Sequence, residues 1–356
     1  MYKRQVFKSD TLFSLNDLSL RFNIIDILLK KYAVKKIMAK GGFVSLKIRQ
    51  NGSLNWDVWS QSTDTTSESE SSAFKLEKFD LKNVSISYLD ARSQVSISSF
   101  VSKGSFGGEF TSSEYDLGIY GDMLVESYVV NEVNYLDNKP VKVNLNLKVD
   151  SEKNLYSFTD ATVFISDIEV QVEGKYMAGD PSDQIDVFFK TKDLDIESAF
   201  SILPEKYFVL FKDYESKGEF YFNAHVAGKT DDVNRPVVKV DFGITKTDIM
   251  HLSSGIVLKD VHLLGSYYNA GSKDYLDIKS FSTQTINGNI SGSIRLDNTD
   301  NPIVNASLKA NMPLENIRQL TCMDTLWNYP LQSMSGSVNI NFTYKGRLKE
   351  SSKYVK

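Results

Sequence analysis

The sequence has little of the chemistry on which enzymes and metal sites usually depend. Its 356 residues include one cysteine, Cys322, and three histidines, His225, His251 and His262. A single cysteine excludes an internal disulfide and any zinc site made from Cys-x-x-Cys pairs. None of the histidines stands in a metal-ligand spacing, and no local cluster of His, Cys and carboxylate occurs. We therefore expect surface histidines, a half-buried structural cysteine, and neither a metal nor another cofactor.

Motifs of catalysis and of nucleotide binding are missing as well. Gly228-Lys229-Thr230 has the last three residues of a phosphate-binding loop, but Asn223 stands where that loop needs its first glycine. A net charge of −4 with mixed signs and no basic stretch predicts no nucleic-acid partner. We expect a protein that is not an enzyme; only a carboxylate pair assembled by folding, as in glycoside hydrolases, would change that.

Long apolar runs are absent too. A helix that spans a bilayer needs about 18 apolar residues or more, whereas the densest runs here are 24–29 and 207–211. The start has no hydrophobic signal segment. Residues 1–5 (MYKRQ) pass at once into strand-like sequence, and the chain ends soon after Gly346. We interpret it as a fragment, so a missing signal or anchor says little about the whole protein.

What the sequence does have is alternation of apolar and polar residues, the pattern of strands with one apolar face. The cleanest run is 141–149, and similar runs occupy 84–88, 238–244 and 338–344. Turn signals such as Asn287-Gly288 separate the runs. Because short links cannot make parallel crossovers, we expect antiparallel pairing of neighbouring strands.

Helical signals are few. They cover 26–32, 195–203 followed by 206–213, and 314–320 after Pro313, a favoured first helical residue. The Ser/Thr/Glu-rich stretch 60–72 cannot bury apolar area and is predicted to be a flexible linker. We thus divide the chain into an N-terminal β segment at 1–59, this linker, and a repeating β region at 73–356.

The repeating region shows an internal match at an offset of 118 residues. Gly174, Gly218 and Gly228 recur as Gly292, Gly336 and Gly346. Residue classes between the glycines also agree, for example at Ile185/Ile303, Leu194/Met312 and Phe222/Ile340. The predicted units are about 160–229 and 278–347. Repeats in register build an elongated array in which each unit covers its neighbour's apolar face.

Such apolar strand faces need a cover, and the few short helices are too small to supply it. Two faces can close on each other as a sandwich, or a sheet can close into a barrel that faces lipid. They can also line an open groove filled by an acyl-chain ligand. Alternation alone does not distinguish these, although the in-register repeat favours the groove. The predicted fold class is therefore mainly β: an elongated, curved antiparallel sheet that forms a groove, with a few short helices.

Several segments resemble the AsmA family. Residues 34–59 (VKKIMAKGGFVSLKIRQNGSLNWDVW) resemble its N-terminal region, with Gly52, Asn55 and Trp56 matching a G-x-x-N-W pattern. Residues 74–88 resemble the strand segment that follows a linker in that family. Residues 193–228 and 312–346 resemble its recurring unit of a short leucine-rich stretch and a glycine-bounded strand. The resemblance covers nearly the whole chain, and its composition is most similar to versions from Bacteroidota-type bacteria.

The resemblance implies a function in the envelope of a Gram-negative bacterium. AsmA-type proteins, like their TamB relatives, are anchored in the inner membrane by an N-terminal helix, which this chain lacks, and extend into the periplasm. They have a β groove lined by apolar side chains and are linked to phospholipid transport toward the outer membrane and to outer-membrane protein assembly. The partners implied are phospholipids, the membrane and outer-membrane assembly proteins. The alternative is a β scaffold that regulates outer-membrane protein assembly or protein targeting to the membrane without carrying lipid.

The predicted lining of the groove is the apolar phase of the three cleanest runs. These residues are Val141, Val143, Leu145, Leu147, Val238, Val240, Phe242, Val338, Ile340 and Phe342. The competing interpretation is that they form ordinary sheet core beneath another layer of protein.

Overall fold

The structure is a computed structural model. It describes residues 11–22, 34–57, 77–108, 113–179, 181–191, 194–201, 213–231, 234–252, 255–271, 273–298, 301–313 and 336–347. These residues contain 17 β-strands and one helix of six residues, so the predicted mainly β class is confirmed. The predicted helix at 195–203 is present as Ile196–Ser201. The other predicted helices (apart from Asp213), the linker at 60–72 and Cys322 lie outside the described residues.

The chain divides into two compact units, Met1–Lys175 with Ile202–Glu205 and Tyr176–Ser201 with Lys206–Lys356. Unit 1 holds β1 (Phe13–Phe22), β2 (Val34–Ile48), β3 (Lys78–Asp90), β4 (Val95–Gly108), β5 (Glu114–Val130), β6 (Val133–Asp150), β7 (Leu155–Ile165) and all but the last two residues of β8 (Ile168–Met177). Unit 2 holds β9 (Asp183–Lys190), β10 (Leu194–Asp195), α1 (Ile196–Ser201), β11 (Tyr214–Thr230), β12 (Val237–His251), β13 (Ile256–Asn269), β14 (Asp274–Thr285), β15 (Gly288–Asp297), β16 (Ile303–Pro313) and β17 (Ser337–Arg347).

Unit 1 is a sheet in which each strand pairs with the next along the chain. The pairs from β3 to β7 are antiparallel, as expected for short links. Asn131 and Glu132 join β5 to β6 with φ of 47° and 68°, the left-handed pair that matches the twist of a hairpin. The exception is β2, which is antiparallel to β1 but parallel to β3. Residues 49–77 link β2 to β3, and a link of that length allows a parallel crossover.

A line of irregular residues crosses β2, β3 and β4 of unit 1. Gly41 and Gly42 have φ of 64° and 95°, Asn83 has φ of 53°, and the register between β4 and β5 shifts at Ser102. At each point one extra residue shifts the alternation of the strand, so that odd-numbered and even-numbered side chains exchange sides of the sheet. The sequence reverses its apolar parity at the same points, so Leu81 and Val84 on β3, like Val101 and Phe106 on β4, share one face.

Unit 2 is also built from successive antiparallel pairs. Strand β11 pairs with β12 on one edge and with β9 and the two-residue β10 on the other, and the series continues from β12 to β17. One of its irregular points is on β11 and β12, where Gly218 lies against Thr247, a fully buried residue. Because Thr247 packs directly against Gly218, only glycine fits at that position of β11.

The internal repeat appears as strands of matching order: β8, β9 and β11 correspond to β15, β16 and β17 at the offset of 118. One strand departs from it by a residue. Ile185 on β9 lies opposite Gly228, whereas Ile303 on β16 lies opposite Arg347 on the polar face, and Val304 takes the apolar place. The match is therefore interrupted by one residue at β16. The division into units at about 160–229 and 278–347 stays a prediction.

Candidate functional site

The candidate site is the apolar face of each unit. In an antiparallel pair, residues opposite each other in register lie on the same side of the sheet, so the pairings trace each face from strand to strand. We call the side that carries the predicted groove residues the apolar face and the other side the polar face.

In unit 1 the apolar face centres on β6. Val143 lies between Gly121 and Val163, and Leu145 lies between Ile119 and Ala161. The same tracing reaches β3 and β4 through Met123 on β5. The apolar face of unit 1 comprises Phe79, Leu81, Val84, Ile86, Val101, Phe106, Leu117, Ile119, Met123, Val141, Val143, Leu145, Leu147, Val149, Phe158, Ala161 and Val163.

The four predicted residues of unit 1 differ in burial. Val141 and Leu147 are buried, while Val143 and Leu145 are half-buried. Leu147 belongs to a cluster with Leu117 and Val149, against which Tyr156 and other aromatic side chains pack. Buried and half-buried residues therefore both occur along the apolar side of β6, so both interpretations of these residues have a physical basis here.

In unit 2 the pairings place all six predicted residues on one continuous face. The row that begins at Phe242 runs through Gly265, Ile278, Ile294 and Ala306 to Tyr344, and the adjacent row runs from Ile244 to Phe342. These rows contain no charged side chain. Val238, Val240, Phe242, Val338 and Ile340 are half-buried, and Phe342 is 51% exposed. The structure thus brings together residues that lie more than a hundred positions apart in the sequence, such as Phe242 and Tyr344, although their role as a lipid lining stays a prediction.

Two aromatic rings of the unit 2 face lie across glycines of the neighbouring strand. The Phe242 ring covers the place that a Cβ of Gly265 would take, and the nearest Phe281 ring atom would lie 2.7 Å from a Cβ at Gly292. A ring over glycine lies low on the sheet instead of standing upright, which gives this face a flatter floor. Sequence reasoning missed Phe281 because its partner glycine is identified only by the strand register.

Two of the histidines, His225 and His262, lie beside carboxylates. His225 Nε2 lies 2.7 Å from Asp186 Oδ1 and stacks on Phe188 with ring centroids 4.0 Å apart, and His262 Nε2 lies 3.0 Å from Asp260 Oδ1. Across the ranges that the structure describes, no three His, Cys, Asp or Glu side chains are grouped as they would be around a metal. The strand pairings place His225 and His262 on the polar face.

The carboxylates with altered pKa values stabilise unit 1. Burial alone would raise the pKa of Asp80, but hydrogen bonds from Lys36 and Ser105 and the charges of Lys36 and Lys78 outweigh it and hold the pKa below its ordinary value. Burial would also raise the pKa of Asp90. Hydrogen bonds from Ser93 and from the backbone of Arg92 outweigh this effect and hold the pKa of Asp90 below its ordinary value. Asp80 thus links β3 to β2 through Lys36 and to β4 through Ser105, and Asp90 accepts hydrogen bonds from the backbone of the turn at Arg92 and Ser93.

The Gly-x-x-Asn-Trp stretch also has a structural place. The side-chain amide of Asn55 donates from Nδ2 to the Ser45 carbonyl at 2.8 Å, and its Oδ1 accepts from the backbone N–H of Lys47 at 2.8 Å. Asn55 therefore satisfies backbone groups of β2 in the way a paired strand would. Gly52, with φ of 81°, makes the turn that brings Asn55 back to β2.

The one described helix is far too short to cross a bilayer, and the part of the chain that the structure describes holds no membrane-spanning helix. No family model, no curated protein and no solved structure matches this chain.

Proposed function

We propose that this chain binds the acyl chains of phospholipids along the apolar faces of its units. In the cell it would support lipid transport toward the outer membrane and assembly of that membrane, as an AsmA-like protein anchored in the inner membrane and facing the periplasm. The observation that carries the proposal is the extent of the unit 2 face. Its two central rows, from Phe242 to Tyr344 and from Ile244 to Phe342, continue without a charge over β12 to β17. The face stays half-buried or exposed at Phe242, Ile340 and Phe342.

Apolar contact is sufficient for such binding. Each methylene removed from water contributes about 0.8 kcal/mol, so an acyl chain laid across several strands needs no polar motif to be held. The polar headgroup stays in water at the margin of the face. The low rings of Phe242 and Phe281 favour an extended chain because they leave no ridge across its path. Movement along the face is passive in this scheme, and neither a nucleotide nor a catalytic group takes part.

A second function is favoured by the burial of other residues on the same faces. Val84, Val149 and Met312 are 0–3% exposed, which is the burial of ordinary protein core. If core packing extends over the half-buried residues as well, the chain is a scaffold for outer-membrane assembly or for protein targeting and carries no lipid.

The first experiment is native purification of the chain without detergent, followed by lipid extraction and mass spectrometry. We expect stoichiometric phospholipid in the wild type. Leu145→Asp in unit 1 and Ile340→Asp in unit 2 each place a charge on an apolar face and should lower lipid occupancy at least about tenfold, which corresponds to about 1.4 kcal/mol.

Each variant has a matched control on the same strand. Asn144→Asp and Asn341→Asp add the same charge to the polar face, one residue away, and should leave occupancy unchanged. A folded wild type without lipid would favour the scaffold. Unfolding of Leu145→Asp and Ile340→Asp, with both controls folded, would assign those residues to the core.

A further inference from the structure

The polar face of unit 1 gathers lysines that are far apart in the sequence. Lys40 lies opposite Lys82, Lys82 opposite Lys103, and Lys103 opposite Asp122, whose other neighbour is Lys142. We call Lys40, Lys82, Lys103 and Lys142 the lysine row. All four are exposed, and no ion pair joins them to a carboxylate in the described part of the chain. Asp17 and Asp122 also lie in this row, which leaves it positively charged.

A row of exposed apolar side chains runs beside the lysines on the same face. Phe43 and Phe100 lie on either side of Ser85, and Phe100 lies opposite Leu124. We call Phe43, Phe100 and Leu124 the apolar row; they are 41%, 37% and 38% exposed. On the other flank, Lys103 Nζ lies 5.3 Å from the ring centroid of the exposed Tyr120.

The line of irregular residues puts the two rows on one face. Phe100 and Lys103 are three positions apart, a spacing that in a regular strand sends side chains to opposite sides. The extra residue at Ser102 reverses the parity, and the Ser102 hydroxyl holds the distortion by donating to the Asp122 carbonyl at 2.7 Å. Gly41 and Gly42 do the same between Lys40 and Phe43.

We propose that this patch docks unit 1 onto the surface of an anionic phospholipid membrane. Lysine ammonium groups are attracted to lipid phosphates and anionic headgroups, and exposed aromatic and aliphatic side chains insert at the headgroup level. A soluble polyanion would match the lysine row but leave the apolar row unused. The patch lies on the face opposite to the acyl-binding face, so the inference does not depend on the proposed function.

The test is flotation of the full chain with vesicles of phosphatidylcholine, alone or mixed with phosphatidylglycerol, at low and high salt. We expect the chain to bind the vesicles that contain phosphatidylglycerol and not those of phosphatidylcholine only. Binding should be lost at high salt, because salt screens exposed charges. Lys82→Glu with Lys103→Glu should weaken binding at least about tenfold. The charge-matched control, Lys309→Glu with Lys345→Glu, changes exposed lysines on the polar face of unit 2 and should bind as the wild type does.

A further variant separates a membrane from other anions. Phe43→Ser with Phe100→Ser keeps the charge and should also weaken vesicle binding, while retention on a heparin column stays unchanged. The proposal is overturned if the wild type ignores the mixed vesicles, if the two lysine variants behave alike, or if heparin binds the chain and vesicles do not. Phospholipid that copurifies with the Lys82→Glu, Lys103→Glu variant reports separately on the apolar face and on folding.

Discussion

The two units apply the same strand pattern with different results. In unit 1 the apolar face has a closed centre, where Val84 and Val149 are 0% and 2% exposed. In unit 2 the apolar face continues to β17, where Phe342 and Tyr344 are 51% and 37% exposed. Alternation assigns a residue to a face in both units, but burial depends on what neighbouring strands place beside it. A patterned strand therefore predicts orientation better than it predicts core.

The polar faces of both units contain cations with carboxylate partners. In unit 2 the Arg295 guanidinium contacts Asp277 and Asp297 and lies 4.0 Å from the ring centroid of Tyr275. In unit 1 Lys36 and Lys78 both contact Asp80. The lysine row differs: Lys103 Nζ lies 5.3 Å from the Tyr120 ring centroid, but no ion pair with a carboxylate joins the row within the described ranges. Because four lysines in one row concentrate positive charge and attract an anionic surface, the row is the main reason to assign that face a partner.

The largest expected effect breaks unit 2 and spares unit 1. A Cβ at Gly218 would lie 2.6 Å from Thr247 Cα, a backbone atom that cannot move aside without distorting β12. Gly218→Ala should destabilise unit 2 by about 3 kcal/mol or more. Hydrogen exchange should rise in peptides from β11 and β12 and stay as in the wild type in β5 and β6. Gly118→Ala is the control, since its Cβ would meet nothing closer than 3.8 Å; equal exchange in the two variants would contradict the argument.

A smaller effect contrasts the closed centre of unit 1 with the exposed end of unit 2. Leu147→Ala removes a side chain that is 6% exposed within the cluster of Leu117 and Val149, and should cost about 3 kcal/mol in the free energy of unfolding. Phe342→Ala removes a larger but exposed side chain and should cost less than about 1 kcal/mol. Urea unfolding measures both. A large cost for Phe342→Ala would mean that protein, and not ligand, covers the unit 2 face.

The smallest effect is the response of unit 1 to acid. The pKa of Asp80 in the folded chain lies below the ordinary value of 3.8. Its ionised form therefore stabilises the fold above that value, and the contribution is lost as the pH falls through the lowered pKa. Asp80→Asn removes this contribution, so the urea midpoints of variant and wild type should differ at neutral pH and converge as the pH falls below 3.8. A constant difference over that range would exclude Asp80 as an acid-sensitive group.

Much of the fold follows from local pattern. The alternation at 141–149, 238–244 and 338–344 correctly predicted strands, and all ten predicted groove residues lie on strands with their alternate residues on one face. The parallel pairing of β2 and β3 was not predicted, because it depends on a long connection rather than on either strand. The one-residue interruption at β16 was not predicted either. Ile303 and Val304 are both apolar, so the local pattern does not indicate which of them lies on the apolar face.

The sequence by itself determined the mainly β class, the antiparallel neighbours and the side of the sheet on which most apolar residues lie. These depend on period-2 alternation and short turns, which are local. Only the tertiary structure decided which apolar residues are buried, that Phe242 and Phe281 lie over glycines, and that Lys40, Lys82, Lys103 and Lys142 form one row. Those properties depend on the register of each strand pair. Residues about a hundred positions apart, such as Lys40 and Lys142, are aligned only when the registers of all the strand pairs between them are set.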